Sequence, residues 1–257
     1  MHILLTNDDG VYAPGLAAME RELQALGDVT VVAPATEQSG VGHLITFLTP
    51  LVCLEVYDGD RRRGWAVEGS PADCVKLAVS ELCEVRPDLV VSGINNGLNA
   101  GINVLYSGTV AAAIEGAFFG IPSIAVSLEY DEHADFDRAA RLAVRIVEQL
   151  TEHPHPPARL FNVNIPRVAL EEPRGVCVVP MGVARYGEHF IRRQDPQGRT
   201  YFWATIDPPP RDDNPETDLS ALKEGFVTVT PLHYDLTLQP ALATMQNWHF
   251  DLTEVPQ

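Results

Sequence analysis

The sequence predicts an α/β doubly wound core with a less regular C-terminal appendage, and three observations carry that reading. Short apolar runs alternate with helical apolar spacing as far as residue 152, the pattern of βαβ units in a mostly parallel sheet. Asp88-Leu89-Val90-Val91-Ser92 is a continuous apolar stretch, as expected of a strand covered on both faces. Pro154, Pro156 and Pro157 then mark a joint, after which strand-like runs predominate. Residues 1–152 are expected to form the core, and residues 153–257 to complete it and supply the appendage.

Each element has a local cause. Ile3–Thr6 is the first strand. Pro14 suits a first helical turn, and Leu16, Met19, Leu23 and Leu26 follow at helical spacing until Gly27. Val29–Ala33 is the second strand, and residues 35–43 form a Gly/Ser-containing loop. Leu51–Val56 and Trp65–Val67 flank the turn Asp58-Gly59-Asp60. Ser70 caps a helix with Pro71 at its first position and Asp73 at its third, and Cys74, Ala78 and Leu82 share a face. Ser107 opens another helix, striped by Val110, Ile114, Ala117 and Phe118; Ser123–Ser127 is a strand and Asp135–Leu150 a helix. Beyond the joint, Arg159–Ile165, Val176–Val179, Arg199–Ala204 and Phe226–Thr230 read as strands, and Asp207–Asp218 as an acidic, Pro-rich loop. Tyr234–Leu238 is expected to be a last strand before a short helix.

Composition narrows the function classes. The net charge is −17, and residues 201–257 hold nine acids against Arg211 and Lys223, which opposes a nucleic-acid surface. An anionic substrate would need a bound cation and local donors to overcome that field. No apolar run reaches membrane-spanning length, and Met1–Thr6 lacks the basic segment of a signal peptide, so a cytoplasmic protein is expected. Cys53, Cys74, Cys83 and Cys177 are dispersed, which favours reduced thiols over a zinc site.

The most informative tetrapeptide is Asn7-Asp8-Asp9-Gly10, an acid pair directly after a buried strand. Turns favour the same residue types, yet carboxylate oxygens also suit a hard divalent cation. Two more polar loops follow strands: Thr36-Glu37-Gln38-Ser39-Gly40, and Gly93-Ile94-Asn95-Asn96-Gly97. Ligands of open α/β sheets bind beyond the strands' carboxyl ends. Together these loops offer two carboxylates, a hydroxyl and an amide carbonyl, an incomplete oxygen set that water and substrate would fill. Ser107-Gly108-Thr109 opens a helix with two hydroxyls and unpaired backbone N–H groups, a ready anion site. The chain has no P-loop, no third glycine for a dinucleotide fingerprint after Gly40-Val41-Gly42, and no nucleophile elbow. Asn7 stands where an aspartyl phosphatase would carry its nucleophile. His43, His189 and His233 show no metal spacing and read as satisfied or partly exposed histidines.

With these blocks in hand the chain resembles the survival protein SurE family of metal-dependent nucleotidases. The resemblance spans nearly the whole length: Ile3–Gly10, Ala33-Pro34 leading to Gln38-Ser39-Gly40, Gly69–Val75, Ser92–Gly97, Tyr106–Ala112, Thr217-Asp218, Ala221-Leu222, Gly225 and Thr230-Pro231-Leu232. It implies a Rossmann-like core and a C-terminal part exchanged between subunits of dimers, often within tetramers. It implies one divalent ion per subunit, Mg²⁺ or Mn²⁺, on Asp8, Asp9, Ser39 and Asn95, and phosphate binding by Asn96, Ser107, Gly108 and Thr109. The implied reaction is hydrolysis of nucleoside monophosphates to nucleoside and phosphate, with 3′-nucleotides and short polyphosphates as further substrates. Asp8 is a candidate proton acceptor and Asn96 a candidate catalytic group. Asn103 and Glu216 depart from the family pattern, and neither belongs to the metal set.

Three rival readings stand beside it: cleavage of the N-glycosidic bond of a nucleotide and nucleotide sensing without turnover, both in the same pocket, and a protein-interaction role for the acidic C-terminal region with the pocket vestigial. Arg185, Arg192 and Arg193 read as surface or interface residues.

Overall fold

The protein is described by a computed structural model over residues 1–153, 159–183, 189–205 and 214–250. Its strands are β1 (His2–Thr6), β2 (Asp28–Pro34), β3 (Cys53–Asp58), β4 (Arg61–Val67), β5 (Leu89–Asn96), β6 (Ser123–Leu128), β7 (Leu160–Ile165), β8 (Val176–Val178), β9 (His189–Gln194), β10 (Thr200–Thr205) and β11 (Val227–Pro231). Its helices are α1 (Pro14–Leu23), α2 (Pro71–Leu77), α3 (Gly108–Phe118), α4 (Phe136–Glu152), α5 (Val168–Glu171), α6 (Asp218–Lys223) and α7 (Gln239–Met245).

Among the described residues nine strands form one sheet in the order β3-β4-β2-β1-β5-β6-β7-β11-β8. Six of its eight pairings are parallel; β3–β4 and β7–β11 are antiparallel. From β1 the chain winds outward through β2 and β4, then returns to lay β5 on the other flank of β1. The strand order therefore reverses between β1 and β5, and their carboxyl ends open a crevice there.

Side-chain parity explains the layers. Ile3 and Leu5 of β1, with Leu89 and Val91 of β5, pack toward Leu16, Met19 and Leu23 of α1 and Ala140, Ala143 and Val147 of α4. Leu4 and Val90 point the other way, toward Cys74 and Val75 of α2 and Ala112 of α3. Both faces are thus covered, which is why these strands are apolar without alternation. Each fully buried Leu or Ile contributes roughly 1.5–3 kcal/mol.

Most boundaries fall within a residue or two of expectation. The Ser70–Asp73 cap is reciprocal: Asp73 N–H donates to Ser70 Oγ at 3.0 Å, and Ser70 N–H to Asp73 Oδ2 at 2.9 Å. Helix α1 stops at Leu23, short of the expected Gly27, because residues 24–26 turn instead. The expected strand Tyr234–Leu238 is absent; the segment carries no regular structure and Leu236 stands 84% exposed. β9 was not anticipated: it pairs antiparallel with β10 as a separate two-stranded sheet. Phe118, expected on the buried stripe of α3, is half exposed. The Pro154–Pro157 joint, Arg185 and most of the Asp207–Asp218 stretch lie outside the described residues, while Arg192 and Arg193 are exposed on β9. Among the described residues no helix is long and apolar enough to cross a membrane.

Candidate functional site

The turn after β1 is built by its own asparagine. Asn7 Nδ2 donates to the Gly10 carbonyl at 3.0 Å, and Gly10 N–H returns a bond to Asn7 Oδ1 at 3.2 Å. This closure is the turn chemistry expected of Asn and Gly, and it places Asp8 and Asp9 at the crevice. Asp8 is almost wholly buried. Burial pushes its carboxyl above the ordinary range, partly offset by the Thr109 hydroxyl, which donates to Asp8 Oδ1 at 2.6 Å. Asp9 is half-buried and pushed up to about 6, chiefly by burial and then by the charges of Asp8 and Glu37.

The helix α3 approaches this acid pair closely because residue 108 is glycine. A Cβ there would sit 2.9 Å from Asp8 Cβ and 3.1 Å from Oδ2. Ser107 caps the helix, its Oγ accepting from Val110 N–H at 3.0 Å and keeping its own O–H to donate. Thr109 is fully buried beneath the cleft, and both its hydroxyl and its backbone N–H turn to the Asp8 carboxylate, so it supports that acid.

The third wall is the end of β5. Gly93 has φ +137°, and a Cβ on it would meet the Val126 carbonyl oxygen at 2.3 Å. Register with β6 shifts between Ser92 and Asn95, and the strand continues to Asn96. Asn95 Nδ2 donates to the Gly97 carbonyl at 2.7 Å, which leaves Oδ1 without a hydrogen bond among the described residues. Asn96 makes a two-point bridge to Asp131: Nδ2 to its carbonyl at 3.1 Å, and Oδ1 from its N–H at 3.2 Å. Its Nδ2 retains a second N–H to donate.

The loop after β2 closes the remaining side. Gln38 N–H donates to the Asp8 carbonyl at 2.7 Å, and Ser39 Oγ donates to Glu37 at 2.7 Å. Asp8, Asp9, Ser39, Asn95, Asn96 and Ser107 thereby line one cleft of about 440 Å³, with Glu37, Asn103, Tyr106 and Tyr130 at its margins. A larger cleft of about 670 Å³ opens beside it over the ends of β6 and β7. Its acids and bases are dispersed, and Arg167 and Asp131 pair with each other at 2.8 Å, so the switch-point cleft is the better site.

A divalent cation fits the switch-point donors. The buried Asp8 and the half-buried Asp9 stand together, and no Lys, Arg or His among the described residues lines the cleft to balance them. Among the described residues no three His, Cys, Asp or Glu converge, so the neutral oxygens of Ser39 and Asn95 would have to complete the shell.

Two supports escaped the sequence reading. Asn99 N–H donates to Asn164 Oδ1 at 2.8 Å and its Nδ2 to Ser127 Oγ at 2.8 Å, while Asn162 Nδ2 donates to its carbonyl at 2.7 Å. Asp218 accepts from Gly101 N–H and Gly182 N–H, each at 2.8 Å. Together they pin residues 97–105, which lead from β5 to α3. Asn162 and Asn164, polar at alternate positions of an otherwise apolar strand, were the signal available.

The sequence profile described as "Survival protein SurE" matches residues 3–188. The chain is 57% identical over 250 residues to the protein named 5′-nucleotidase SurE of Rhodopirellula baltica, covering 97% of this chain and 99% of that one. It is 46% identical to the protein of the same name from Syntrophobacter fumaroxidans, covering 97% and 100%. A crystal structure of the Aquifex aeolicus SurE protein superposes with a TM-score of 0.84 at 40% identity, covering 96% of this chain and 98% of that one.

Proposed function

The chain belongs to the SurE family, and from that premise we propose that it is a metal-dependent 5′-nucleotidase. It releases inorganic phosphate from nucleoside monophosphates at the cleft between β1 and β5. The observation that carries this reading is the Asp8–Asp9 pair, Asp8 buried and Asp9 half-buried, set against the Ser107–Thr109 helix start. An acid pair without protein counter-charge suits a cation, and a helix N-terminus suits a phosphoryl group.

Asp8, Asp9, Ser39 and Asn95 would hold the ion, Mg²⁺ or Mn²⁺. When bound it supplies charge neutralisation for a phosphoryl oxygen and a favoured position for water. Ser107 O–H, the backbone N–H of Gly108 and the second N–H of Asn96 orient the remaining oxygens, with Thr109 beside them holding Asp8. Asp8 is the candidate acceptor for the proton of the attacking water, and the Thr109 hydroxyl holds its Oδ1 in place. Tyr106 and Tyr130, both exposed at the rim, offer aromatic faces to a base. A cleft that grips the phosphoryl end first also accommodates 3′-nucleotides and short polyphosphates. Residues 153–257 serve assembly into dimers or tetramers besides completing the sheet.

The test is phosphate release from 5′- and 3′-nucleoside monophosphates and short polyphosphates, with Mg²⁺, with Mn²⁺ and with EDTA. Release that stops in EDTA supports the reading. Free base in place of phosphate would move the scissile bond to the N-glycosidic linkage. Binding without turnover in any metal would make the protein a sensor.

A further inference from the structure

Helix α3 is made of small and apolar residues with one exception, Glu115. Its side chain is 4% exposed, a costly place for a carboxylate that lacks partners. Two partners reach it from other elements. His43 Nε2 stands 2.9 Å from Oε2, and Lys76 Nζ of α2 stands 3.3 Å from Oε1. Burial alone would raise the Glu115 carboxyl; the bonds to His43 and Lys76 outweigh it and hold it below the ordinary range.

His43 is the more informative partner because of where it sits. Residues 35–52 contain no helix or strand, and this stretch carries Ser39. Two backbone bonds tie it to the cleft: Gln38 N–H to the Asp8 carbonyl at 2.7 Å, and Gly42 N–H to the Tyr106 carbonyl at 3.0 Å. The His43 ring then stacks on Phe118 at 5.5 Å and 18°, and Tyr234 meets Phe118 edge-on at 4.7 Å and 84°. His43 is thus held at its edge by Glu115 and on its face by Phe118. Both belong to the helix whose first turn is the anion site.

We infer that His43 is a positioning residue: by clamping to Glu115 and Phe118 it fixes the Ser39-bearing loop relative to the start of α3. Loop and helix then hold one geometry, so the groups offered by Ser39 and by Ser107–Thr109 converge on the same point. The effect on turnover rests on the proposed nucleotidase reading; the effect on the loop does not.

The experiment follows amide hydrogen exchange at residues 36–43 in the full-length protein, for wild type, His43→Ala and His43→Gln, beside kcat and KM for a nucleoside monophosphate. In His43→Ala the Gln38 and Gly42 amides should exchange roughly tenfold faster while amides 111–117 of α3 keep their protection. Turnover should fall mainly in kcat, since the loop supplies geometry rather than a contact to the nucleoside. His43→Gln, whose amide still reaches for Glu115, should recover most of both. Unchanged exchange at Gln38 and Gly42 overturns the inference. If His43→Ala also loses protection across α3, His43→Asn, too short to reach Glu115, replaces it under the same two outcomes. A wild type without phosphatase activity sinks the nucleotidase reading, and the exchange comparison still decides the role of His43.

Discussion

At the switch-point cleft, side chains are drawn inward: Asp8 is 4% exposed and Thr109 is not exposed at all. In the hairpin β9–β10 and around α7 the opposite holds, with Trp203 62%, Leu236 84%, Trp248 56% and Phe250 68% exposed. The cleft gathers its groups from four strand ends and loops of one chain, each anchored by hydrogen bonds within the described residues. The hairpin β9–β10 and the segment around α7 display large apolar side chains that single scattered surface residues would not explain. The contrast teaches that the polar groups of the cleft and the exposed apolar side chains lie in different parts of this chain, the first bound into the sheet and the second left at its surface.

The sharpest way to break that division is Asp8→Asn. The swap keeps size and removes the charge, so turnover should fall by roughly a thousandfold or more while the fold persists. Circular dichroism and phosphate release on the same sample check both halves. Near-normal rates in saturating metal would show that the chemistry lies elsewhere.

Gly108→Ala tests whether the cleft depends on close approach rather than on donor types alone. The added methyl must displace Asp8 Cβ at 2.9 Å or the helix start itself. Displacements of this kind cost about a hundredfold in rate, and the overpacking costs about 1–3 kcal/mol of stability. Denaturant melts and kcat/KM should show both losses, with less change in stability than in rate.

On the other side of the comparison, Trp203→Ser on β10 should weaken self-association by roughly tenfold or more, as truncating an aromatic anchor does. Sedimentation velocity over a concentration series reads the shift. Turnover per protomer at saturating substrate should stay near wild type. A collapse of turnover in step with assembly would mean that the two regions are not separable.

The same contrast explains what was legible in the sequence. The cleft follows strand-end logic: Asp8, Asp9, Ser39 and Asn95 each lie at or just after a strand whose apolar run is plain to see. Supports that cross between distant strands were hidden. The Asn99 bonds to Ser127, Asn162 and Asn164, and the Asn96 bridge to Asp131, depend on sheet order, which local patterns do not encode. β9 was missed because His189, Arg192 and Arg193 break any apolar alternation, and its pairing with β10 supplies what its own sequence lacks. Tyr234–Leu238 alternates like a strand yet finds no strand to pair with among the described residues, so its pattern alone builds nothing.

The smallest expected effect lies within the cleft and concerns pH. Asp9 is raised by burial, and by Asp8 and Glu37, from 3.8 to about 6, so between these values the folded state binds more protons than the unfolded. The sign follows: in metal-free protein, stability falls as pH rises through that window, and the penalty is complete above it. Asp8 acts in the same direction. Asp9→Asn removes the acid, so in EDTA the variant should melt higher than wild type near pH 7 and about level with it near pH 4. A cation reverses the order, because it needs the carboxylates ionised: Mn²⁺ should raise the wild-type melting temperature more near pH 7 than near pH 5, and raise that of Asp9→Asn little at either. Thermal melts at three pH values, with and without Mn²⁺, measure all of this. A variant no more stable than wild type in EDTA near pH 7 would mean that burial and the neighbouring acids impose no penalty on ionised Asp9, and that the cleft owes its preference for a cation to something other than charge.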